Sequence, residues 1–552
     1  MNRSRPIRCA GLGLFAATIL GVGTTATAGQ PAWVDLEHMA ALLRSDVRIV
    51  WMGDSFSSSW FSRVPAASLN TWTVDRITAI EGGAARHHGI VYAAQRCEPL
   101  HLVQSLDPLG YRVERHDPQL TYFGLPLRGI QEVCTTPDLA LGPDGQVLEF
   151  RLFNERFEPG LHGPFSQAGD HVRMRFLFRC ASDPVRQVPT ALLRDHEGES
   201  TMLDLVGQCR GFLHLQEAPG TGRPPVPGQI NAALPDIEAI NDLDQTIRVP
   251  LSLDTSLIGT NQYLDAAGAV YYRTDANGDR LPGLYYSYIA DDSWSYEGFG
   301  NDLECAGTHH KVFTGEQLTH WLDVTTLDPA QPTVFAWYLA PESSGYTTTR
   351  QRMERMIDLA DDAASAVGLH DVHHLLIISH MIGFSGDNGH DLIAAQQQAA
   401  FDIAAEQPGV AAASIYAATD GTLFDGGADA IQWLQSNGFD DFRFGELAAD
   451  LTAEPIAGRL LDAIDVHPAG SEGGAFFATI LGDLFRQAGC SADFVPDGRI
   501  NVDDLLQVIA QWNTPLDGDS DGSGLMDVGE LLLVIQSWGD CWPVQAPFNH
   551  AH

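Results

Sequence analysis

Three groups of residues in this chain have the types and spacing to do chemistry. The first is the turn Gly53-Asp54-Ser55, at the end of the apolar run Val47-Arg48-Ile49-Val50-Trp51-Met52. A serine hydroxyl is a weak nucleophile until a base takes its proton, and an imidazole base needs an acid to fix its tautomer. The second group offers both. Leu461-Asp462-Ala463-Ile464-Asp465-Val466-His467-Pro468 holds His467 in a proline-bounded loop, with Asp465 two residues before it and Asp462 five before it. Either carboxylate could orient the ring. The third group is an acidic repeat. Asp493, Asp497, Asn501 and Asp504 set side-chain oxygens at positions 1, 5, 9 and 12 of a twelve-residue loop, with Gly498 at position 6 and Ile500 at position 8, the pattern of a calcium-binding loop. Position 3 is Val495, so one ligand is missing. Twenty-six residues later Asp519, Asp521, Ser523, Asp527 and Glu530 fill positions 1, 3, 5, 9 and 12. The apolar runs that follow, 505–512 and 531–538, repeat in register, which separates the pattern from an ordinary solvated acidic tail.

The elements that must hold these groups can be read from periodicity. The β-branched run before Gly53 reads as a buried parallel strand, and Gly53 permits a tight turn at its end. Ser55 then falls at the carboxyl edge of a sheet, where open α/β folds place their sites. Residues 59–96 read as helix and loop. From residue 294 apolar runs alternate with helical patterns: strands at 333–339, 374–381 and 410–418, helices at 348–367 and 391–406, and acidic amphipathic segments at 428–436 and 446–452. A small-residue helix over 473–488 follows His467. This alternation predicts a doubly wound parallel sheet. Between 110 and 293 the texture differs, with short alternating runs such as 147–153 and 171–178 broken by Pro and Gly clusters. That stretch is expected to be a β-rich insertion, a sandwich whose aromatics serve mainly as core. Tyr271-Tyr272-Arg273 and Leu284-Tyr285-Tyr286 read as a hairpin about Asp275-Ala276-Asn277-Gly278-Asp279, an Asn-Gly turn in preference to a calcium loop.

Composition narrows the function classes. The 71 acidic and 32 basic residues of this 552-residue chain leave a formal charge of -39, which argues against a nucleic-acid partner or an anionic membrane surface. The first residues carry Arg3, Arg5 and Arg8, then an apolar segment over 9–22 and the small-residue site Ala26-Thr27-Ala28, the layout of a cleaved secretory signal. No later run has the length to span a bilayer, so the mature protein is expected to be exported and soluble, extracellular or periplasmic. Lys311 is the sole lysine, which leaves Schiff-base chemistry little footing. Of eight cysteines Cys9 leaves with the signal; the odd remainder is expected to include disulfides, and it shows no Cys-x-x-Cys spacing for zinc.

The first two groups together resemble the SGNH, or GDSL-type, esterase and lipase superfamily, over residues 45–100 and 294–488. The resemblance implies a flavodoxin-like α/β/α fold with Ser55 as nucleophile, His467 as general base, Asp465 as its acid and no catalytic cofactor. In that family acid and base usually stand as Asp-x-x-His; here Ile464 occupies the usual acid position and Asp465 lies one residue closer. The family's glycine block is matched by Gly298-Phe299-Gly300-Asn301, which implies an oxyanion hole from the amides of Ser55 and Gly300, with Asn301 a further donor. The family's Gly-x-Asn-Asp turn is absent after the 333–339 strand, where Ala340-Pro341-Glu342-Ser343 stands instead. The C-terminal repeat resembles a type I dockerin, an all-α, EF-hand-like module that binds calcium and commonly docks onto a cohesin domain. Cys490 and Cys541 bracket it and could close a disulfide around it.

The expected organisation is a signal peptide (1–28), a first α/β part (29–109), the β-rich insertion (110–293), a second α/β part (294–489), the dockerin-like module (490–541) and a tail (542–552). The expected function is a secreted serine esterase acting on an extracellular carboxylic ester, such as acetyl groups on polysaccharide. The competing expectation is a non-catalytic extracellular binding or scaffold-attached protein on a degenerate hydrolase fold.

Overall fold

The structure, a computed structural model, describes most of 32–53, 265–290, 315–439, 456–489, 499–512 and 528–540, residues 443–444 and 492, and, between 87 and 253, the strands with the 207–208 turn. Its central feature is the Val47–Gly53 strand, all seven residues of which are buried. A β-branched run with Trp51 at 1 % exposure can be buried on both faces only when flanked by strands and covered by helices. It pairs in parallel with Leu284–Ala290 on one side and Thr333–Tyr338 on the other, and Val372–Ile378 and Val410–Ser414 continue the sheet. With His87–Ala93, which pairs in parallel on the far side of Leu284–Ala290, the parallel strands lie in the order 87–93, 284–290, 47–53, 333–338, 372–378, 410–414, with later strands added outward from Val47–Gly53 on one side as in a doubly wound sheet.

Helices close the sheet because their apolar residues recur at three- and four-residue spacing. Tyr346–Ala366 buries Met353, Met356, Ile357, Ala360 and Ala364, and packs on Gly389–Glu406, which buries Ile393, Ala400 and Ile403. Gly470–Ala488 turns Phe476, Phe477, Leu481 and Phe485 inward and packs on Leu36–Leu42. The two groups give helix, sheet and helix layers around one continuous core.

The β-rich stretch corrects the sequence reading in three places. His87–Ala93, expected as helix or loop, is a strand beside Leu284–Ala290. Leu284–Ala290, expected inside the insertion, is the second strand of the parallel sheet. The predicted hairpin does not pair along its length: His87–Ala93 lies between Asp265–Thr274 and Leu284–Ala290. The local turn chemistry does hold. Asp275 Oδ1 accepts from the amides of Asn277 (2.8 Å) and Asp279 (2.9 Å), and Thr274 bridges to Arg280. The two strands diverge beyond that bridge because a strand 180 residues upstream takes the site between them. His171–Ala181 and Ile230–Glu238 extend the same sheet, while 147–153, 190–194, 200–204, 240–242 and 246–253 form a separate antiparallel sheet. A smaller difference lies at residues 410–418, expected as one strand, where the chain turns helical from Ile415.

Ionic contacts tie the β-rich part to the α/β layers. Arg175 on the His171–Ala181 strand grips Asp236 through Nε (2.9 Å) and Nη2 (3.0 Å). It also donates to the Val324 and Thr326 carbonyls at the end of Gly315–Thr325, where the helix dipole favours a cation. Arg48 donates to the hydroxyls of Thr325 (2.6 Å) and Thr326 (2.7 Å) at the same helix end; burial, with Arg175 nearby, pushes its guanidinium down to about 9, so it remains charged at neutral pH.

Candidate active site

Gly53 ends the first strand opposite Ala290 on one neighbour and Tyr338 on the other, at the carboxyl edge of the parallel sheet. Asp54 and Ser55 follow it directly and lie outside the described residues, as do Gly300 and Asn301. His467 and both aspartates near it, Asp462 and Asp465, are described.

His467 is 7 % and Asp462 2 % exposed. Leu461 and Pro468 form an antiparallel bridge, so the chain folds back and sets Asp462 across from His467. Within this turn the Asp462 amide donates to the His467 carbonyl (2.9 Å). Asp462 Oδ2 accepts from His467 Nδ1 at 2.7 Å, and Oδ1 accepts from the amides of Val466 (2.9 Å) and His467 (3.3 Å). Burial opposes the charge of Asp462, but the imidazole and the two amides outweigh it and hold the carboxyl below the usual carboxylate range. A carboxylate can only accept, so Nδ1 carries a proton, and in the neutral ring the lone pair falls on Nε2. An imidazole oriented in this way has the geometry a general base requires, with Nε2 as the atom that would take a proton.

Asp465, the residue expected to orient His467, does something else. Its backbone is left-handed, with φ of 57°, and its carboxylate accepts from Arg459 Nη2 at 3.1 Å. Burial and the charges of Asp425 and Asp462 raise its carboxyl above the ordinary value, against the pull of Arg459. A residue two positions from His467 sits on the tip of the reversal, whereas a residue five positions away is carried across from it. Arg459 itself went unread in the sequence. Its guanidinium also donates to the carbonyls of Leu461 (3.3 Å), Asp462 (2.7 Å) and Asp425 (3.4 Å), clamping the start of the turn.

Two further residues brace the other side. His380, just past the Val372–Ile378 strand, places Nε2 2.9 Å from the Val466 carbonyl and Nδ1 3.0 Å from the Tyr338 hydroxyl, and stacks on Phe477 with ring centroids 4.3 Å apart. The Gly383 amide donates to the Asp465 carbonyl at 2.7 Å; a Cβ at Gly383 would lie 2.7 Å from that of Asp465, so this approach needs glycine. On the helix that follows, a Cβ at Gly473 would fall on the Leu460 carbonyl, so glycine lets Gly470–Ala488 press against the turn. The sequence offered one cue to His380, its place at the end of an expected strand, and none to its partners.

In the C-terminal module Asn501 and Asp504 are described. They begin the Val502–Ala510 helix as a capping box: Asn501 Oδ1 accepts from the Asp503 amide (2.7 Å), and Asp504 Oδ2 accepts from the Asn501 amide (2.8 Å). Asp493, Asp497, Asp519, Asp521, Ser523 and Asp527 lie outside the described residues, and of Glu530 only the helical backbone is described. Among the described residues no group of three or more His, Cys, Asp or Glu is placed to hold a metal, and no helix is long and apolar enough to cross a membrane.

No family model matches this sequence, and no curated protein matches it. Solved structures share distant likeness. A peptidoglycan O-acetylesterase overlaps at 11 % identity with a TM-score of 0.42, covering 83 % of this chain and 95 % of the other. A family two carbohydrate esterase from Cellvibrio japonicus gives 8 % identity and a TM-score of 0.23, covering 58 % and 87 %. The salicylyl-acyltransferase SsfX3 from a tetracycline biosynthetic pathway gives 11 % and 0.19, covering 59 % and 82 %. At these scores the likenesses carry no weight for activity.

The buried imidazole of His380 makes acid stability measurable. Burial pushes it down to about 4, whereas an unfolded histidine titrates near 6.5. Its contribution is therefore fully present above about pH 6.5 and is lost as pH falls towards 4, by roughly 3 kcal/mol in all. The loss tied to the depressed Asp462 follows only at more acid pH. Urea midpoints of the full chain are expected to hold above pH 6.5 and to decline steadily below it, less steeply in His380→Gln. A midpoint level down to pH 4 contradicts this.

Proposed function

We propose that this protein is a secreted serine esterase of SGNH type, with a flavodoxin-like catalytic fold, cleaving an extracellular carboxylic ester such as an acetyl group on polysaccharide. The observation that carries the reading is the buried Asp462–His467 pair at the carboxyl edge of the sheet in which Gly53 ends the first strand. The link between them is traceable: Val466 bonds to His380, His380 to Tyr338, and Tyr338 is the register partner of Gly53. Ser55 follows Gly53 by two peptide units.

In this mechanism Ser55 Oγ attacks the acyl carbonyl while His467 Nε2 takes its proton. Asp462 stabilises the resulting imidazolium through Nδ1–H. His467 then gives the proton to the departing alkoxide, and the acyl-enzyme forms. Water, deprotonated by the same nitrogen, attacks the acyl carbon; the carboxylic acid leaves and the proton returns to Ser55. The amides of Ser55 and Gly300, with the Asn301 side chain, are the oxyanion donors, each typically worth about 100-fold or more in rate. A non-catalytic protein on a degenerate fold has less call for a carboxylate held away from water solely to orient one imidazole.

For the C-terminal module we propose two calcium sites and a protein-docking face. Asp493, Asp497, Asn501 and Asp504 would form one site, and Asp519, Asp521, Ser523, Asp527 and Glu530 the other; helix starts at Asn501 and Val528 suit loops that run into helices. Bound calcium would order the loops. The two helices pack on each other through Val508 and Val534, both fully buried. They leave exposed Val502, Leu506 and Ile509 on one and Val528, Leu532 and Ile535 on the other, with Trp512 and Trp538 just past their ends, at 41 to 56 % exposure. The positions correspond one to one at the repeat length of twenty-six residues. An apolar stripe repeated in this way suits a cohesin-type partner with a complementary apolar surface.

Two experiments test these readings. Ser55→Ala should abolish hydrolysis of acetyl esters with folding intact, and Asp462→Asn should lower kcat by about 1,000-fold or more. Asp465→Asn, which keeps both the left-handed backbone and an oxygen for Arg459, should stay within about tenfold of the parent. Unchanged turnover in Ser55→Ala would sink the assignment, and equal losses at the two aspartates would reject Asp462 as the acid. In calorimetric titration the full chain should bind two calcium ions, and Asp519→Ala should remove one; no heat beyond dilution refutes the metal sites.

A further inference from the structure

Catalytic bases are often fixed through their side chains, but here the backbone of the base is fixed as well. The peptide unit joining Val466 to His467 is bonded at both ends. Its N–H, on His467, donates to Asp462 Oδ1 at 3.3 Å, and its C=O, on Val466, accepts from His380 Nε2 at 2.9 Å. A planar peptide anchored at oxygen and at nitrogen has little freedom to rotate, so the Cα of His467 is set from both sides. The same holds along the reversal. The Asp462 carbonyl accepts from Arg459 and from the Asp465 amide, the Asp465 carbonyl from Gly383, and the His467 carbonyl from Asp462.

We propose that His380 is a positioning residue for His467: by holding the Val466 carbonyl it fixes where the imidazole of the base points, and Tyr338 fixes the tautomer in which it does so. This rests on His467 being the base of the proposed esterase. A carbonyl can only accept, so His380 must carry its proton on Nε2. Nδ1 then holds a lone pair and accepts the Tyr338 hydroxyl proton. His380 is fully buried and stacked on Phe477, so it stays neutral at physiological pH and the relay has one arrangement of protons. A leucine or phenylalanine would fill the space more cheaply in solvation terms, but would orphan the Val466 carbonyl. The chain of contacts also joins the ends of two strands and the base turn, so the base is referenced to the strand beside Gly53.

The test separates positioning from packing. In His380→Gln the side-chain amide can reach the Val466 carbonyl as Nε2 does; in His380→Phe it cannot. Acetyl-ester kinetics of the full chain should show kcat reduced by about 50-fold or more in His380→Phe with KM within about twofold, and restored to within about fivefold of the parent in His380→Gln. Proton NMR supplies a readout independent of turnover. The low-field resonance of His467 Nδ1–H, assigned by its loss in Asp462→Asn, should persist in His380→Gln and be lost or broadened in His380→Phe. Nitrogen-15 shifts should report the Nε2–H tautomer of His380 in the parent, and a mixture of tautomers in Tyr338→Phe, which serves even if His380→Phe fails to fold. A parent Nδ1–H tautomer overturns the proposal, as do full kcat in His380→Phe or equal losses in the Phe and Gln variants. If Ser55→Ala keeps its activity while the resonances behave as stated, the esterase reading fails and the bracing of His467 stands.

Discussion

A buried carboxylate must have its charge answered on the spot, and at Asp462 that requirement organises the whole turn. With 2 % exposure it cannot rely on water, so it takes an imidazole N–H and two amide N–H groups. Those amides belong to Val466 and His467, so the carboxylate that orients the ring also folds the chain that carries it. Arg459 closes the turn from one side and His380 and Gly383 from the other, with Gly470–Ala488 lying against it through Gly473. Each contact either pairs a backbone carbonyl or allows close approach. Together they fix the geometry of the turn that carries His467, and preorganisation of this kind is what electrostatic catalysis draws on.

The parts readable from the sequence were those that depend on local pattern. Val47-Arg48-Ile49-Val50-Trp51 could be taken for a doubly covered strand because β-branched and aromatic residues run without alternation, and the helices of 346–366 and 389–406 announced themselves by spacing. The capping pair Asn501 and Asp504, chosen in the sequence as loop ligands, also proves to start a helix. The parts misread depend on pairings made at a distance. The turn at Asp275 is local and was recognised, but no local signal tells that the 87–93 strand separates its two arms. The family's Asp-x-x-His spacing points to Asp465, the carboxylate nearest that pattern, whereas the reversal between Leu461 and Pro468 brings Asp462 to the ring instead. His380 and Tyr338 lie 42 residues apart on adjacent strand ends, and only the sheet order brings them together.

The two halves of the chain answer different physical demands. The α/β part keeps its polar contacts inside, with Asp462 and His467 buried on one turn and His380 stacked on Phe477. The C-terminal module does the reverse, exposing three large apolar residues on each helix and a tryptophan just past each in a protein of strongly negative net charge. Charge repulsion between like chains opposes unspecific association through those stripes.

The central claim is that Ser55 is activated by His467 with Asp462 behind it. A fluorophosphonate probe tests it most directly, because covalent capture requires the nucleophile and its base together. Peptide mapping should find the phosphonyl adduct on Ser55 in the parent, with a labelling rate that collapses by 100-fold or more in His467→Ala. Absence of an adduct at Ser55, or labelling that proceeds at the parent rate without His467, would contradict the account.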